Sequence, residues 1–182
     1  MLNDEATRHN RRVVVTGLGV VSSIGIGKKA YRKSLQAGRS GIKKITSFDT
    51  SSSSCRIAGE ITDFDPSDFM PAQTARRIDR FAQLGLAASR LAIADAALKL
   101  TSENSRRIGI VLGTSVGTLC YAEQQIALFY EKGIKRINPF FATSVIPSSA
   151  VTQISLDLGI HGACRRDHRR GRHWRSKVLR QH

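Results

Sequence analysis

The feature that most constrains this chain is an abrupt change of composition between Cys164 and Arg165. Before it, apolar runs alternate with glycine-containing turns, whereas residues 165–182 hold seven Arg, one Lys and one Asp, a net +7 of the total +15. Such a charged segment cannot bury enough apolar surface to offset the entropy lost on folding. We therefore predict that residues 165–182 form a disordered basic tail and that folding is confined to the residues before them.

The residues before the tail are sufficient for one domain. The chain has 182 residues, of which 41% are hydrophobic, and a domain of about 150 residues can build a substantial core. We predict a flexible segment at residues 1–10 and a domain at 11–164. Its charges are short pairs rather than runs, typical of a solvated surface that could also suit an acidic partner. The pairs are Arg11-Arg12, Lys28-Lys29, Lys43-Lys44, Arg76-Arg77, Arg106-Arg107 and Lys135-Arg136.

Cysteine usage and the N-terminus indicate the compartment. Cys55, Cys120 and Cys164 are odd in number and far apart, which fits neither a disulfide framework nor a metal site. The apolar run at residues 13–15 is too short for a signal peptide, and no stretch approaches the length of a membrane span. We predict a cytoplasmic protein with reduced thiols, no bound metal and no membrane association.

The order of apolar runs and glycines predicts an α/β fold. Residues 12–16 are β-branched without alternation, typical of a strand covered on both faces, and residues 107–113 have a similar pattern. Strands separated by helices favour a largely parallel sheet in a layered structure. The other predicted elements are helices at 28–37, 74–100, 118–130 and between Pro147 and Gly159, a loop at 50–54 and a short edge strand at 57–61. Helix 118–130 is expected to face the core through Leu119, Ala122, Ile126 and Phe129.

Two glycine motifs superficially suggest nucleotide binding. GLGVVS at residues 17–22 follows a predicted strand, but serine replaces the third glycine of the dinucleotide fingerprint and no acid lies about 20 residues further on. GIGKK at residues 25–29 lacks the leading glycine and the hydroxyl of a phosphate loop. Tight turns that let a strand pack against a helix explain both stretches.

Five stretches, in order, carry a resemblance to a known family. They are RRVVVTGLGVVS at 11–22, LQAGRSGI at 35–42, RIDRFAQ at 77–83, GTSVG at 113–117 and NPFF at 138–141. At this spacing residues 11–163 resemble the N-terminal part of the β-ketoacyl-acyl-carrier-protein synthases, the elongating condensing enzymes of fatty-acid synthesis. The resemblance implies a thiolase-like layered α/β fold, here an incomplete N-terminal half.

The resemblance also implies a reaction. In that family an acyl chain passes from acyl carrier protein to a cysteine whose thiolate a helix N-terminus favours. A malonyl thioester is then decarboxylated, and the carbanion attacks the acyl-enzyme to give a 3-oxoacyl product, while two histidines and two backbone donors stabilise developing charge. By resemblance, Val116 gates the acyl pocket, and Phe141 contributes to its wall, often across a homodimer interface. Acyl carrier protein is the implied partner, and no cofactor is implied.

The family's catalytic residues have no counterpart here. The family continues from a Gly-x-x-Gly turn, GIHG at residues 159–162, through an apolar strand into a Thr-Ala-Cys nucleophile motif. Counting without gaps places the nucleophile at Gly171, and Cys164 comes seven positions too early. The family's histidines belong to its C-terminal half. We therefore assign no catalytic residue, neither to the cysteines nor to the five histidines, His9, His161, His168, His173 and His182.

Three interpretations remain open. The chain is an inactive N-terminal fragment of a condensing enzyme whose last 18 residues come from an out-of-frame translation. Alternatively, it is a binding protein whose basic tail contacts an acidic protein or nucleic acid, although the tail has no nucleic-acid-binding fold, which disfavours the latter partner. In the third interpretation, a separately encoded half supplies the missing cysteine and histidines.

Overall fold

The computed structural model of the protein describes residues 12–114 and 116–167. This part of the chain contains six α-helices and six strands, a mixed composition that agrees with the predicted α/β class. The helices are α1 (Lys28–Gln36), α2 (Ala72–Ala75), α3 (Arg80–Asp95), α4 (Leu119–Lys132), α5 (Phe141–Ser144) and α6 (Ser149–Leu158). The strands are β1 (Val21–Ser22), β2 (Gly25–Ile26), β3 (Lys43–Lys44), β4 (Ile57–Ala58), β5 (Ile110–Gly113) and β6 (Cys164–Asp167). Short 3-10 helices occur at Pro66–Asp68, Ser105–Arg107 and Ile134–Arg136.

The described strands form three two-stranded sheets. The β1–β2 and β3–β4 pairs are antiparallel, and β5 pairs with β6 in parallel. Only β5–β6 therefore corresponds to the predicted parallel sheet. The predicted edge strand at 57–61 is present as the shorter β4, and the predicted loop at 50–54 is confirmed.

The core lies where α3 and α6 pack on each other and on one face of β5. Leu86 of α3 and Ile154 of α6 are its largest fully buried side chains. At Gly85 a β-carbon would lie 3.6 Å from Ile154 Cδ1, an ordinary van der Waals distance, so the two helices are in direct contact here. Arg90 clamps the same interface, because its Nε and Nη2 donate to the two carboxylate oxygens of Asp157 at 2.8 and 2.7 Å.

Helix boundaries that depend on local chemistry are predicted well. Helix α1 ends next to Gly38, and α6 ends at Gly159, each glycine having a positive φ, as the left-handed end of a helix requires. The predicted single helix at 74–100 is wrong, since it is divided into α2 and α3. Asp79 starts α3 by accepting the Arg80 N–H on Oδ1 at 2.6 Å, which makes it an N-cap rather than a helix interior residue.

The predicted first strand is also wrong. Residues 12–16 have no secondary structure, and Val13, Val14 and Val15 are between 63% and 83% exposed. The turn that follows packs directly against α3. If Gly17 or Gly19 carried a β-carbon, that atom would lie only 2.3 or 1.8 Å, respectively, from a backbone oxygen of the helix. The run itself bonds to no other backbone group of the described residues, and a strand exists only through its partner.

The start of the basic segment differs from the prediction as well. Arg165, Arg166 and Asp167 belong to β6, in register with Val111, Leu112 and Gly113 of β5. Predicted disorder is therefore wrong for these three residues, because the ladder uses backbone groups that every side chain leaves available. The predictions for residues 1–10 and 168–182 concern positions outside those that the structure describes. No helix in the described ranges is long and apolar enough to cross a bilayer.

Candidate functional site

The loop that contains Val116 and the segment that begins with Phe141, the two predicted site residues, lie side by side. The buried Thr118, next to α4, donates its hydroxyl to the Val145 carbonyl oxygen, just after α5, at 2.6 Å. Gly117 makes the turn before Thr118 with φ +72°, a backbone angle that residues other than glycine rarely adopt. A β-carbon at Gly117 would be 3.4 Å from Phe81 and 3.6 Å from Pro147. The loop after β5 is thus fixed against the α5–α6 connection.

Val116 lies on the surface of this loop. Its side chain is 53% exposed, and its carbonyl oxygen accepts the Thr118 N–H at 3.0 Å. The backbone at this position is therefore held in place while the side chain is free to contact a ligand or another surface.

Phe141 is the first residue of α5 and is half-buried. Its ring centroid is 6.1 Å from that of Tyr121 on α4. Asn138 fixes the turn before α5, because its N–H donates to Gln125 at 2.8 Å and its side-chain oxygen accepts the Phe140 N–H at 2.9 Å. Local hydrogen bonds thus set the position of the Phe141 ring.

An open apolar depression of about 260 Å³ lies between α4 and α5. The structure brings Phe141 to it but not Val116. Most of its wall comes from residues outside the predicted site, since the lining consists of Gln125, Ile126, Phe129, Tyr130, Ile137 and Phe141.

The predicted core-facing stripe of α4 is wrong. No residue of α4 is buried, and Leu119, Ile126 and Phe129 are all exposed. The period of 3.6 residues shows which face of a helix is apolar but not what covers that face. The apolar residues Ile126 and Phe129 were thus visible in the sequence, and only their environment was misassigned.

Tyr121, whose ring lies next to that of Phe141, carries a polar group into this region. The Tyr121 hydroxyl is buried and makes no hydrogen bond within the described residues. Burial raises the pKa of Tyr121, and the Asp79 carboxylate adds to this, whereas the nearby polar groups of Ser144 and Asn138 lower it without forming a bond of acceptable geometry. Burial likewise raises the pKa of Asp79, opposed by the N–H of Arg80. Charge is therefore disfavoured on both groups.

The described residues show no arrangement for nucleophilic catalysis. All three cysteines are exposed; Cys120 lies in the first turn of α4, and Cys164 lies on β6 with its Sγ 3.5 Å from the Gly162 carbonyl oxygen. The His161 N–H donates to the Ser105 carbonyl oxygen at 2.9 Å. Across residues 12–114 and 116–167 no three His, Cys, Asp or Glu side chains cluster as metal ligands would. Gly171 and the remaining histidines, His9, His168, His173 and His182, lie outside these ranges.

Known proteins match most of this chain. The 3-oxoacyl-[acyl-carrier-protein] synthase 2 of Synechocystis sp. is 39% identical over 157 residues, which are 86% of this chain and 38% of that protein. The protein of the same name from Vibrio harveyi is 38% identical over 152 residues, or 84% of this chain and 37% of the relative. The chain thus spans less than two-fifths of the length of these curated relatives.

Solved structures agree with the sequence comparison. The ishigamide ketosynthase/chain length factor has a TM-score of 0.74 and 32% identity, covering 86% of this chain and 39% of its own. A complex titled as a type II PKS acyl-carrier protein with its ketosynthase has a TM-score of 0.67 at 24% identity, which shows a shared fold. The family model described as "Beta-ketoacyl synthase, N-terminal domain" matches residues 10–164. The chain therefore belongs to the β-ketoacyl synthase family of acyltransferases, whose N-terminal, thiolase-like domain it carries.

Proposed function

We propose that residues 11–163 supply part of the acyl-binding half of a 3-oxoacyl-acyl-carrier-protein synthase, which condenses an acyl thioester with malonyl-acyl carrier protein in fatty-acid biosynthesis. The observation that carries this proposal is the match to two synthases of that name over more than four-fifths of the chain. The Thr118–Val145 hydrogen bond adds support, since it joins the segment that contains Val116 to the segment that begins with Phe141. In the intact protein we assign Val116 to the gate and Phe141 to the wall of that pocket.

The 182-residue polypeptide is proposed to be inactive by itself. Its sequence contains no Thr-Ala-Cys motif, and of its three exposed cysteines Cys120 alone lies at a helix N-terminus, in the first turn of α4 and outside any such motif. We expect no mass increase after incubation with an acyl-acyl-carrier-protein thioester, measured on the intact chain, while the Synechocystis synthase gains one acyl group under the same conditions. A stable acyl adduct on any cysteine of this chain would contradict the proposed inactivity.

The family function is tested by restoring the missing groups. Residues 1–163 are fused to the part of the Synechocystis synthase that follows its matched region, and the 3-oxoacyl product is measured with malonyl-acyl carrier protein. We expect activity from the chimera and a loss of at least about a hundredfold when its transplanted nucleophilic cysteine is changed to Ala. A chimera that is folded by circular dichroism but makes no product would count against the proposal.

Acyl carrier protein is the proposed partner. Arg77 places its guanidinium 5.1 Å from the centre of the Phe140 ring, at the turn that follows Lys135 and Arg136. Cationic groups from two parts of the chain thus flank the segment leading to Phe141, and they suit an acidic protein. Binding should weaken with rising salt and with Arg77→Glu, whereas Arg39→Glu, a charge change on an exposed loop, serves as the control. Equal losses in both variants would remove this assignment.

A split enzyme is the second candidate. The exposed valines at residues 13–15 and the apolar face of α4 leave surface for a separately encoded half or a second copy. Co-expression of this chain with a C-terminal half from a curated relative should give a complex on size exclusion with condensing activity.

We propose, further, that the complete protein is a cytoplasmic homodimer that uses the α4 face. Nucleic-acid binding by the basic tail stays a disfavoured alternative, and residues 168–182 lie outside the described ranges.

A further inference from the structure

A second cavity lies apart from the acyl-pocket segments. It has a volume of about 410 Å³ and separates the loop after α3 from the C-terminal end of α6. Leu100 and Leu158 supply apolar surface on its two sides, and Arg106 and His161 also line it. The buried Ser105 ties the walls together, because its carbonyl oxygen accepts the His161 N–H at 2.9 Å and its hydroxyl donates to the Ser102 carbonyl oxygen at 3.1 Å.

The polar lining of this cavity is cationic and rich in donors. Arg106 and His161 both carry N–H donors, and neither takes part in an ion pair of the described structure. The Thr101 hydroxyl accepts the Asn104 N–H at 3.3 Å, so its own proton remains available. Among the described residues, no acidic side chain lines the cavity. Of the nearby acids, Glu103 is not part of the lining, and Asp157 is held by Arg90.

We propose that this cavity binds a small organic phosphate monoester. A guanidinium presents several N–H groups in one plane and pairs well with phosphate oxygens. His161 and the free hydroxyl protons of Thr101 and Ser102 can complete the contacts, since hydroxyls donate to anions readily. The Leu100 and Leu158 side chains can cover an apolar ester group, which inorganic phosphate does not have. The site is independent of the proposed acyl pocket.

Binding is tested by NMR titration of the isotopically labelled 182-residue chain with n-butyl phosphate and, separately, with inorganic phosphate. Residue-level detection is needed because the arginine-rich residues 165–182 also attract anions. We expect butyl phosphate to shift the amide signals of residues 101–106 and His161, with higher affinity than inorganic phosphate. Arg106→Gln should weaken binding at least about tenfold, and His161→Gln should weaken it to a smaller extent.

The matched control is Arg107→Gln. Arg107 belongs to the same 3-10 helix and is exposed, but it does not line the cavity. It should change the affinity by less than about twofold, as expected for a screened surface charge. The absence of shifts at residues 101–106, or equal losses in the Arg106 and Arg107 variants, would overturn the site. Equal affinities for the two phosphates would overturn the assignment to an organic ester.

Discussion

A single strained residue ends α3. Ala97 has φ +49°, and the Leu98 and Ala97 N–H groups donate to the carbonyl oxygens of Ile93 and Ala94, so Ala97 occupies the left-handed position of a Schellman motif. Glycine adopts this conformation without the cost that a β-carbon adds. Ala97→Gly should stabilise the fold by about 1 kcal/mol in urea unfolding. Ala94→Gly, within the helix, should instead destabilise it by about 1 kcal/mol; losses in both variants would show that the strain is absent in solution.

Glu60 couples stability to acidity. Its carboxylate accepts hydrogen bonds from the N–H and hydroxyl groups of Thr46 and Ser47 at 2.5 to 3.1 Å. The Ser47 hydroxyl and then the Thr46 N–H are the main causes that lower the pKa of Glu60 from 4.5 to about 2. A lowered folded-state pKa stabilises the fold above pH 4.5, and this contribution disappears as the pH falls from 4.5 through about 2.

The change Glu60→Gln isolates this contribution. The variant should unfold at a lower temperature than the wild type at pH 6, and the difference should shrink as the pH approaches 2. Glu123→Gln on the exposed face of α4 is the control, since Glu123 makes no hydrogen bond through its side chain within the described ranges. A Glu60→Gln difference that is the same at pH 6 and pH 2.5 would contradict the linkage.

At the scale of elements, the α3–α6 pair holds the domain together. Asp157 is only 13% exposed at its side chain and relies on Arg90 for its two hydrogen bonds. Arg90→Met should destabilise the fold by about 2 kcal/mol, because it leaves a carboxylate mostly buried and unpaired. The double variant Arg90→Met/Asp157→Leu should recover part of the loss in denaturant unfolding. No loss in the single variant would show that the pair adds nothing to helix packing.

For the whole molecule, exposed apolar surface governs solution behaviour. Val111 on β5 is 69% exposed, and the run at residues 13–15, which pairs with no strand among the described residues, is similarly exposed. Unpaired extended segments with apolar side chains invite pairing between chains. We expect self-association that increases with concentration in sedimentation velocity and decreases with Val14→Lys. Leu156→Lys, which also replaces an exposed apolar residue by lysine but on α6, should have little effect; equal effects would point to net charge rather than strand pairing.

Sequence-based prediction succeeded best for features that depend on local backbone requirements. Gly38 and Gly159 correctly marked the ends of α1 and α6, because a left-handed helix end is a local backbone requirement. The Asp79 cap was missed although aspartate favours an N-cap over a helix interior, because apolar residues on both sides of it continue the helical pattern. For the site, the sequence indicated Val116 and Phe141, and the structure joins their two segments while leaving their roles in the pocket as predictions.

The sequence by itself determined the family, the mixed α/β class and the local helix ends, because each depends on residue order or on short-range backbone chemistry. Only the tertiary structure decided which apolar surfaces are covered. The run at residues 12–16 has no partner strand among the described residues, whereas the charged segment at the end of the domain gains one through β5. Strand formation depends on a neighbouring backbone and burial on a neighbouring surface, so neither follows from the apolar or charged character of a segment alone.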